Sequence, residues 1–116
     1  QLPEQYKLFC KEHHINYTEC NDLSQVIDDT DILYMTRVQR ERFTDPVEYE
    51  KVRNAYTLKN CLLENTKENL RILHPLPRIT EIDEDVDDNP KAYYFQQARN
   101  GVFVRQAIIC SILGLI

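Results

Sequence analysis

The sequence predicts an α/β chain built on a mostly parallel sheet, and three observations predict it. Segments with helical apolar spacing alternate with short apolar runs, in the order helix, strand, helix, strand, helix, strand, helix. The runs "DILYM" (31–35) and "RILH" (71–74) are flanked by polar residues, as strands covered on both faces are. Prolines and short polar caps stand where one pattern gives way to the next.

In chain order, Leu2, Tyr6, Phe9 and Cys10 recur at helical spacing, with Pro3 tolerated in a first turn, so residues 3–13 read as an amphipathic helix. "INYT" (15–18) is a short strand candidate. Ser24 caps a brief helix through Asp28, and "DILYM" comes next as a strand. Asp45 is the N-cap of the next helix, with Pro46 in its first turn, Glu48 as the capping-box acid and Val52, Ala55 and Tyr56 as its apolar side. Thr57 starts another helix through about Asn65, after which "RILH" is the third strand. The acidic run "EIDEDVDDNP" (81–90) reads as a solvated loop whose charge suits the start of a following helix. Asn89 and Pro90 open that helix, and a last one runs from about Gly101 through Leu113. The whole is part of a three-layer, Rossmann-like arrangement with helices on both faces of the sheet.

At 116 residues the chain has room for one core. Fourteen Lys plus Arg against 19 Asp plus Glu give a formal charge of -5, which argues against nucleic acid as its partner. The longest apolar run, "AIICSILGLI", is about half a bilayer span, and no signal peptide is visible, so no membrane partner is expected and the cytoplasm is. Cys10, Cys20, Cys61 and Cys110 are scattered and read as small buried hydrophobes in a reducing compartment. Cys10, His13, His14 and Cys20 invite a zinc reading, but their spacing fits no standard finger. The opening "QLPEQYKLFCKEHH" has a helix already under way and no initiator methionine, and the expectation is a piece of a longer polypeptide.

In open parallel sheets ligands bind beyond the carboxyl ends of the strands, which selects the segment after "DILYM" and the stretch His74 to Arg78. In "RILHPLPR", Pro75 and Pro77 force His74 and Leu76 out of the helical region and remove two N–H groups. Two readings stay open there: a rigid loop, or a fixed array of carbonyl acceptors. After the first strand, alternation puts Arg37 and Gln39 on one side of the chain, a guanidinium fork for a carboxylate or phosphate beside an amide. The alternative is a solvated ion-pair cluster with Arg40, Glu41 and Arg42. No Ser, His and Asp constellation, GxGxxG or P-loop occurs, so any catalysis here works by positioning and electrostatics.

The stretches "DILYMTRVQRERF", "LHPLPR", "EIDEDVDDNP" and "AYYFQQARNGVFVRQA" resemble the aspartate carbamoyltransferase family, catalytic chain, over essentially all 116 residues. The resemblance is to its C-terminal portion: residues 1–100 as part of the aspartate-binding domain, and residues 101–116 as a last helix that packs back on a carbamoyl phosphate domain. It implies transfer of the carbamoyl group of carbamoyl phosphate to L-aspartate, in de novo pyrimidine biosynthesis, with no cofactor and no metal. The full-length chain is then a homotrimer, in some members with regulatory chains.

Carried over by position, Arg37 grips an aspartate carboxylate and Gln39 helps seat the same substrate. Pro75, Leu76 and Pro77 hold the carbamoyl phosphate amide through carbonyl oxygens, with a cis Leu76-Pro77 bond. Glu41 and Arg42 are supporting ion-pair residues. The related ornithine enzymes carry a cysteine where this chain has Pro75, so aspartate is favoured. The family's phosphate-binding motif, catalytic histidine and glutamine, and the lysine from a neighbouring subunit have no counterpart here. His74 is read as a structural residue at the strand end, not as that catalytic histidine. No catalytic residue is therefore assigned within the segment, and the isolated chain is expected to be inactive. The competing reading is a non-catalytic remnant or interaction module with the same fold.

Overall fold

The computed structural model describes residues 2–38 and 44–116, with residues 51–55 described by backbone alone. Gln39, Arg40, Glu41 and Arg42, read from the sequence as substrate-seating or ion-pair residues, lie outside the described residues.

Helix α1 runs Glu4–Glu12 behind Pro3. It stops where His14 turns left-handed, at φ 53°. The Ile15 amide then reaches back to the Cys10 carbonyl (2.8 Å) and the His14 amide to Lys11 (3.3 Å), which closes the last turn on the open carbonyls. After this reversal, "INYT" is not a strand: it pairs with no ladder, and Ile15 and Tyr17 are exposed. Asp22, not Ser24, is the cap of the next segment, accepting from the Ser24 amide (2.9 Å) and hydroxyl (2.8 Å). That segment consists of two short 3-10 turns, Leu23–Gln25 and Ile27–Asp29, in place of a helix.

Strand β1, Ile32–Tyr34, pairs in parallel with β2, Arg71–Leu73, in the register Ile32 to Arg71, Leu33 to Ile72 and Tyr34 to Leu73. On its other edge β2 is joined to the backbone around Ala92, through Ile72 N to Lys91 O (2.8 Å) and Tyr93 N to Ile72 O (2.9 Å). The fold is therefore α/β with a parallel sheet, as expected. The two faces of the strands are covered unequally. Leu33 and Ile72 point into the core, whereas Ile32 and Tyr34 on the opposite face are 63% and 54% exposed.

Between the strands lies helix α2, Pro46–Ala55, whose N-cap Asp45 accepts from the Val47 amide (2.8 Å). The helix expected from Thr57 is replaced by a parallel bridge of Leu58 to Ile82 and a 3-10 turn at Asn60–Leu63. Leu58 is fully buried, and its amide and carbonyl pair with Glu81 O and Asp83 N. A residue held by a ladder on both backbone groups cannot also enter a helix. Lys91 finishes that 3-10 turn by donating to the carbonyls of Leu63 (3.2 Å) and Thr66 (3.1 Å).

Beyond β2 the chain forms a 3-10 turn at Glu84–Val86 and then helix α3, Tyr94–Ile112. Asn89 and Pro90 do not open that helix. Asn89 makes a turn, its side chain accepting from the Lys91 amide (2.9 Å), because Ala92 is held in the bridge to β2. Nor does a new helix begin at Gly101: α3 passes through it without a break. The core, formed by Ile27, Leu33, Leu58, Leu63, Leu70, Ile72, Ile82, Val86 and Tyr94, lies between the sheet's covered face and these turns.

Candidate functional site

Parallel pairing sends both strands out of the same edge of the sheet. One further ladder bond, Met35 N to Leu73 O (2.8 Å), keeps the chains together to the point where Thr36 and Arg37 on one side and His74 and Pro75 on the other begin. Gln97 of α3 spans the two exits. Its Oε1 accepts from the His74 amide (2.9 Å) and its Nε2 donates to the Tyr34 hydroxyl (3.3 Å). Arg37 is exposed beyond this point.

The turn after β2 has the expected cis Leu76-Pro77 bond, with Leu76 at φ 50°. Pro75 and Pro77 have no N–H, so the Leu76 amide is the only donor in the three residues. It donates inward to His74 Nδ1 (2.8 Å). The polar groups left for a ligand at this turn are carbonyl oxygens.

His74 is 1% exposed. Since its Nδ1 accepts from Leu76, its Nε2 carries the proton and donates to Glu81 Oε1 (2.8 Å). Glu81, itself buried, accepts at Oε2 from the amides of Ile79 (3.1 Å) and Thr80 (3.0 Å). Burial pushes this carboxyl up, but the bonds from its own amide, Ile79, Thr80 and His74 outweigh burial and hold it below the ordinary value.

The guanidinium at the end of "RILHPLPR" faces inward. Arg78 Nη2 donates to Asp87 Oδ2 (2.6 Å), Nη1 to Asp87 Oδ1 and to the Tyr94 hydroxyl (3.1 Å), and the Tyr94 hydroxyl to Asp87 Oδ1. The hydrogen bond with Arg78 holds the Asp87 carboxyl down, and that pairing raises the guanidinium. Burial, then the Asp87 carboxylate, pushes the Tyr94 phenol up. The acidic run is thus no simple solvated loop. Glu81 and Asp87 anchor the proline turn, Asp83 caps a 3-10 turn by accepting from Asp85 N (3.2 Å), and Asp85 accepts from Asn60 N (3.2 Å).

The zinc reading finds no support in this geometry. Among the described residues no three His, Cys, Asp or Glu side chains converge, and His13 stacks on Phe9 with ring centroids 4.0 Å apart. Nor are the cysteines buried hydrophobes: Cys20 and Cys61 are exposed, and Cys10 and Cys110 half-buried.

Residues 2–112 match the family model described as aspartate/ornithine carbamoyltransferase, Asp/Orn binding domain. The chain belongs to this carbamoyltransferase family. The aspartate carbamoyltransferase catalytic subunit of Bacteroides fragilis is 66% identical over 116 residues, 99% of this chain and 38% of that protein. The catalytic subunit of M. jannaschii aspartate transcarbamoylase superposes with a TM-score of 0.90 at 43% identity, covering 100% of this chain and 38% of that one. The Trypanosoma cruzi aspartate transcarbamoylase, solved in complex with N-(phosphonacetyl)-L-aspartic acid, superposes with a TM-score of 0.78 at 31% identity, covering 91% and 34%. The chain spans little more than a third of the length of these carbamoyltransferases.

Gln97, Glu81, Asp87 and Tyr94 brace the turn without having been singled out from the sequence. Glu81 and Asp87 were hidden in an acidic run, where nothing local separates a buried carboxylate from a solvated one. A signal was present: Ile82 and Val86 are apolar within that run, and both prove to be core.

Proposed function

We propose that the protein carrying this chain is an aspartate carbamoyltransferase, converting carbamoyl phosphate and L-aspartate to N-carbamoyl-L-aspartate and phosphate in de novo pyrimidine biosynthesis. The observation that carries the proposal is the common edge from which Arg37 and the Pro75–Pro77 turn both leave the parallel pair. Arg37 takes an aspartate carboxylate through its guanidinium fork, and Gln39 seats the same substrate. The carbonyls of Pro75, Leu76 and Pro77 accept from the carbamoyl amide, whose two N–H donors match an acceptor-only turn. Glu41 and Arg42 support Arg37. The substrate amine is the nucleophile and the carbamoyl carbon the electrophile, so alignment supplies much of the catalysis and no cofactor is required.

This chain contributes the aspartate-binding side through residue 100 and a last helical segment, 101–116, that packs on a carbamoyl phosphate domain. The working form is a cytoplasmic homotrimer. The relatives named aspartate carbamoyltransferase support aspartate over ornithine, as does Pro75.

Calorimetric titration of the full-length protein with N-(phosphonacetyl)-L-aspartic acid tests the site. Binding is expected, and Arg37→Ala weakens it by about 10- to 100-fold, because a charged hydrogen-bonded partner is removed from a carboxylate. Equal affinity in parent and variant excludes Arg37 from the site, and no binding by the parent overturns the functional proposal.

A further inference from the structure

We propose that His74 and Glu81 are positioning residues, a buried pair that sets the Pro75–Pro77 turn by capturing its only amide, that of Leu76. The proposal rests on the reading of that turn as the carbamoyl-holding element. It adds how the acceptors are held.

A buried imidazole and a buried carboxylate are expensive unless every donor and acceptor is matched, and an apolar pair of similar size would fill the space at less cost. Here the matching is complete and directional. Glu81 is acceptor-only, and receives from His74 Nε2, Ile79 N and Thr80 N at 2.8–3.1 Å. That fixes the proton on Nε2 and leaves Nδ1 as an acceptor aimed at Leu76 N, 2.8 Å away. The proton position is thus relayed from the carboxylate to the turn. With the Leu76 amide held from inside and both neighbours prolines, the peptide planes of the turn have no alternative donor to rotate outward. Leu76 sits at φ 50°, a backbone region disfavoured for a side-chain-bearing residue, and requires such a hold.

The backbone at both ends of the turn is tied down as well. The His74 amide is taken by Gln97, and the Ile79 and Thr80 amides by Glu81. His74 touches no substrate in this scheme. It acts through Leu76, which separates it from a catalytic histidine.

Three variants of the full-length protein test the proposal, read by steady-state kinetics and by hydrogen exchange at the Leu76 amide. His74→Ala removes both arms. His74→Asn keeps an oxygen near the place of Nδ1 that can accept from Leu76 N, as asparagine does in Asx turns. Glu81→Gln forces a mismatch, since an amide cannot accept three N–H bonds with one oxygen.

His74→Ala is expected to speed Leu76 exchange and to lower kcat/KM for carbamoyl phosphate, each by about tenfold or more, the scale of one buried hydrogen bond left unmade. KM for aspartate changes less. His74→Asn recovers most of both losses, which a merely space-filling role would not produce. Glu81→Gln shows the same pattern as His74→Ala in weaker form, and carries the test if His74→Ala fails to fold. Unchanged Leu76 exchange in both the Ala and Gln variants overturns the proposal, as does an Asn variant no better than Ala. A parent without carbamoyl transfer, but with Leu76 exchange that depends on His74, overturns the functional reading and leaves the positioning device standing.

Discussion

At Asp87 one carboxylate serves an arginine and a tyrosine at once, and the three side chains pin the far end of the proline turn to the first turn of α3. Arg78 is 17% and Asp87 28% exposed at the side chain, so solvent screens the pair only in part. Arg78 also lies over the Tyr94 ring, 5.6 Å from its centroid, which adds a cation–π contact to the hydrogen bonds. Because the folded Asp87 carboxyl lies below its ordinary 3.8, it contributes stability that is present above that pH and lost as pH falls through the folded value. Glu81, held below 4.5, acts with the same sign. Tyr94 acts at the other end. Its raised phenol contributes stability below its ordinary 10.0 that is lost as pH rises beyond. Asp87→Asn should therefore cost about 1–2 kcal/mol near neutrality and flatten the acid limb of a urea-midpoint profile. A profile that superposes on the parent's from neutral pH into acid would show that the clamp contributes nothing. None of this was legible residue by residue, because the partners are 7 to 16 positions apart and meet only through the turn.

The elements were more legible than their partners. α1, α2 and both strands lie where periodicity and caps put them, since Asp45, Pro46 and the apolar runs act locally. The errors at Thr57 and Asn89 share one cause, competition from a ladder bond between distant segments. Leu58 and Ala92 are both held in bridges, which shortens or delays the helices expected there. Gly101 is the converse case. A mid-helix glycine costs about 1 kcal/mol against alanine, and a 19-residue helix bears that without breaking. The two helix ends show the same chemistry with different residues. α3 closes through Gly114 at φ 67° and Leu115 N to Cys110 O (2.9 Å), as α1 closes through His14 at φ 53° and Ile15 N to Cys10 O. Glycine is at ease there and histidine is not. His14→Gly should stabilise the protein by a few tenths to about 1 kcal/mol, relief of left-handed strain being partly offset by glycine's entropy in the unfolded chain. A calorimetric melt with Tm unchanged or lowered would show that the His14 side chain holds the helix end in a way its exposure does not reveal.

For the molecule as a whole, the surface is out of proportion to the core. The chain exposes 9146 Å², whereas a compact protein of 13.8 kDa exposes roughly 6600 Å². Its radius of gyration, 17.3 Å, exceeds the roughly 13 Å of a compact domain this long. Much of the excess is apolar: Phe103, Ile108, Ile109 and Ile112 along α3, Leu113 just past its end, and Ile32 and Tyr34 on the more open face of the sheet are each more than half exposed. Such a surface makes water a poor neighbour for the chain alone. The catalytic requirement points the same way. On the proposed reading Arg37 and the acceptor turn hold the two substrates, but the family's phosphate-binding motif and neighbouring-subunit lysine, which the resemblance implies for stabilising the departing phosphate, have no counterpart among these 116 residues. The isolated chain should therefore form no carbamoyl aspartate from carbamoyl phosphate and aspartate. It should also bind a hydrophobic dye and self-associate in sedimentation. Carbamoyl aspartate produced by a well-behaved monomer of the isolated chain would refute this, and would place the whole catalytic apparatus between the two strand exits.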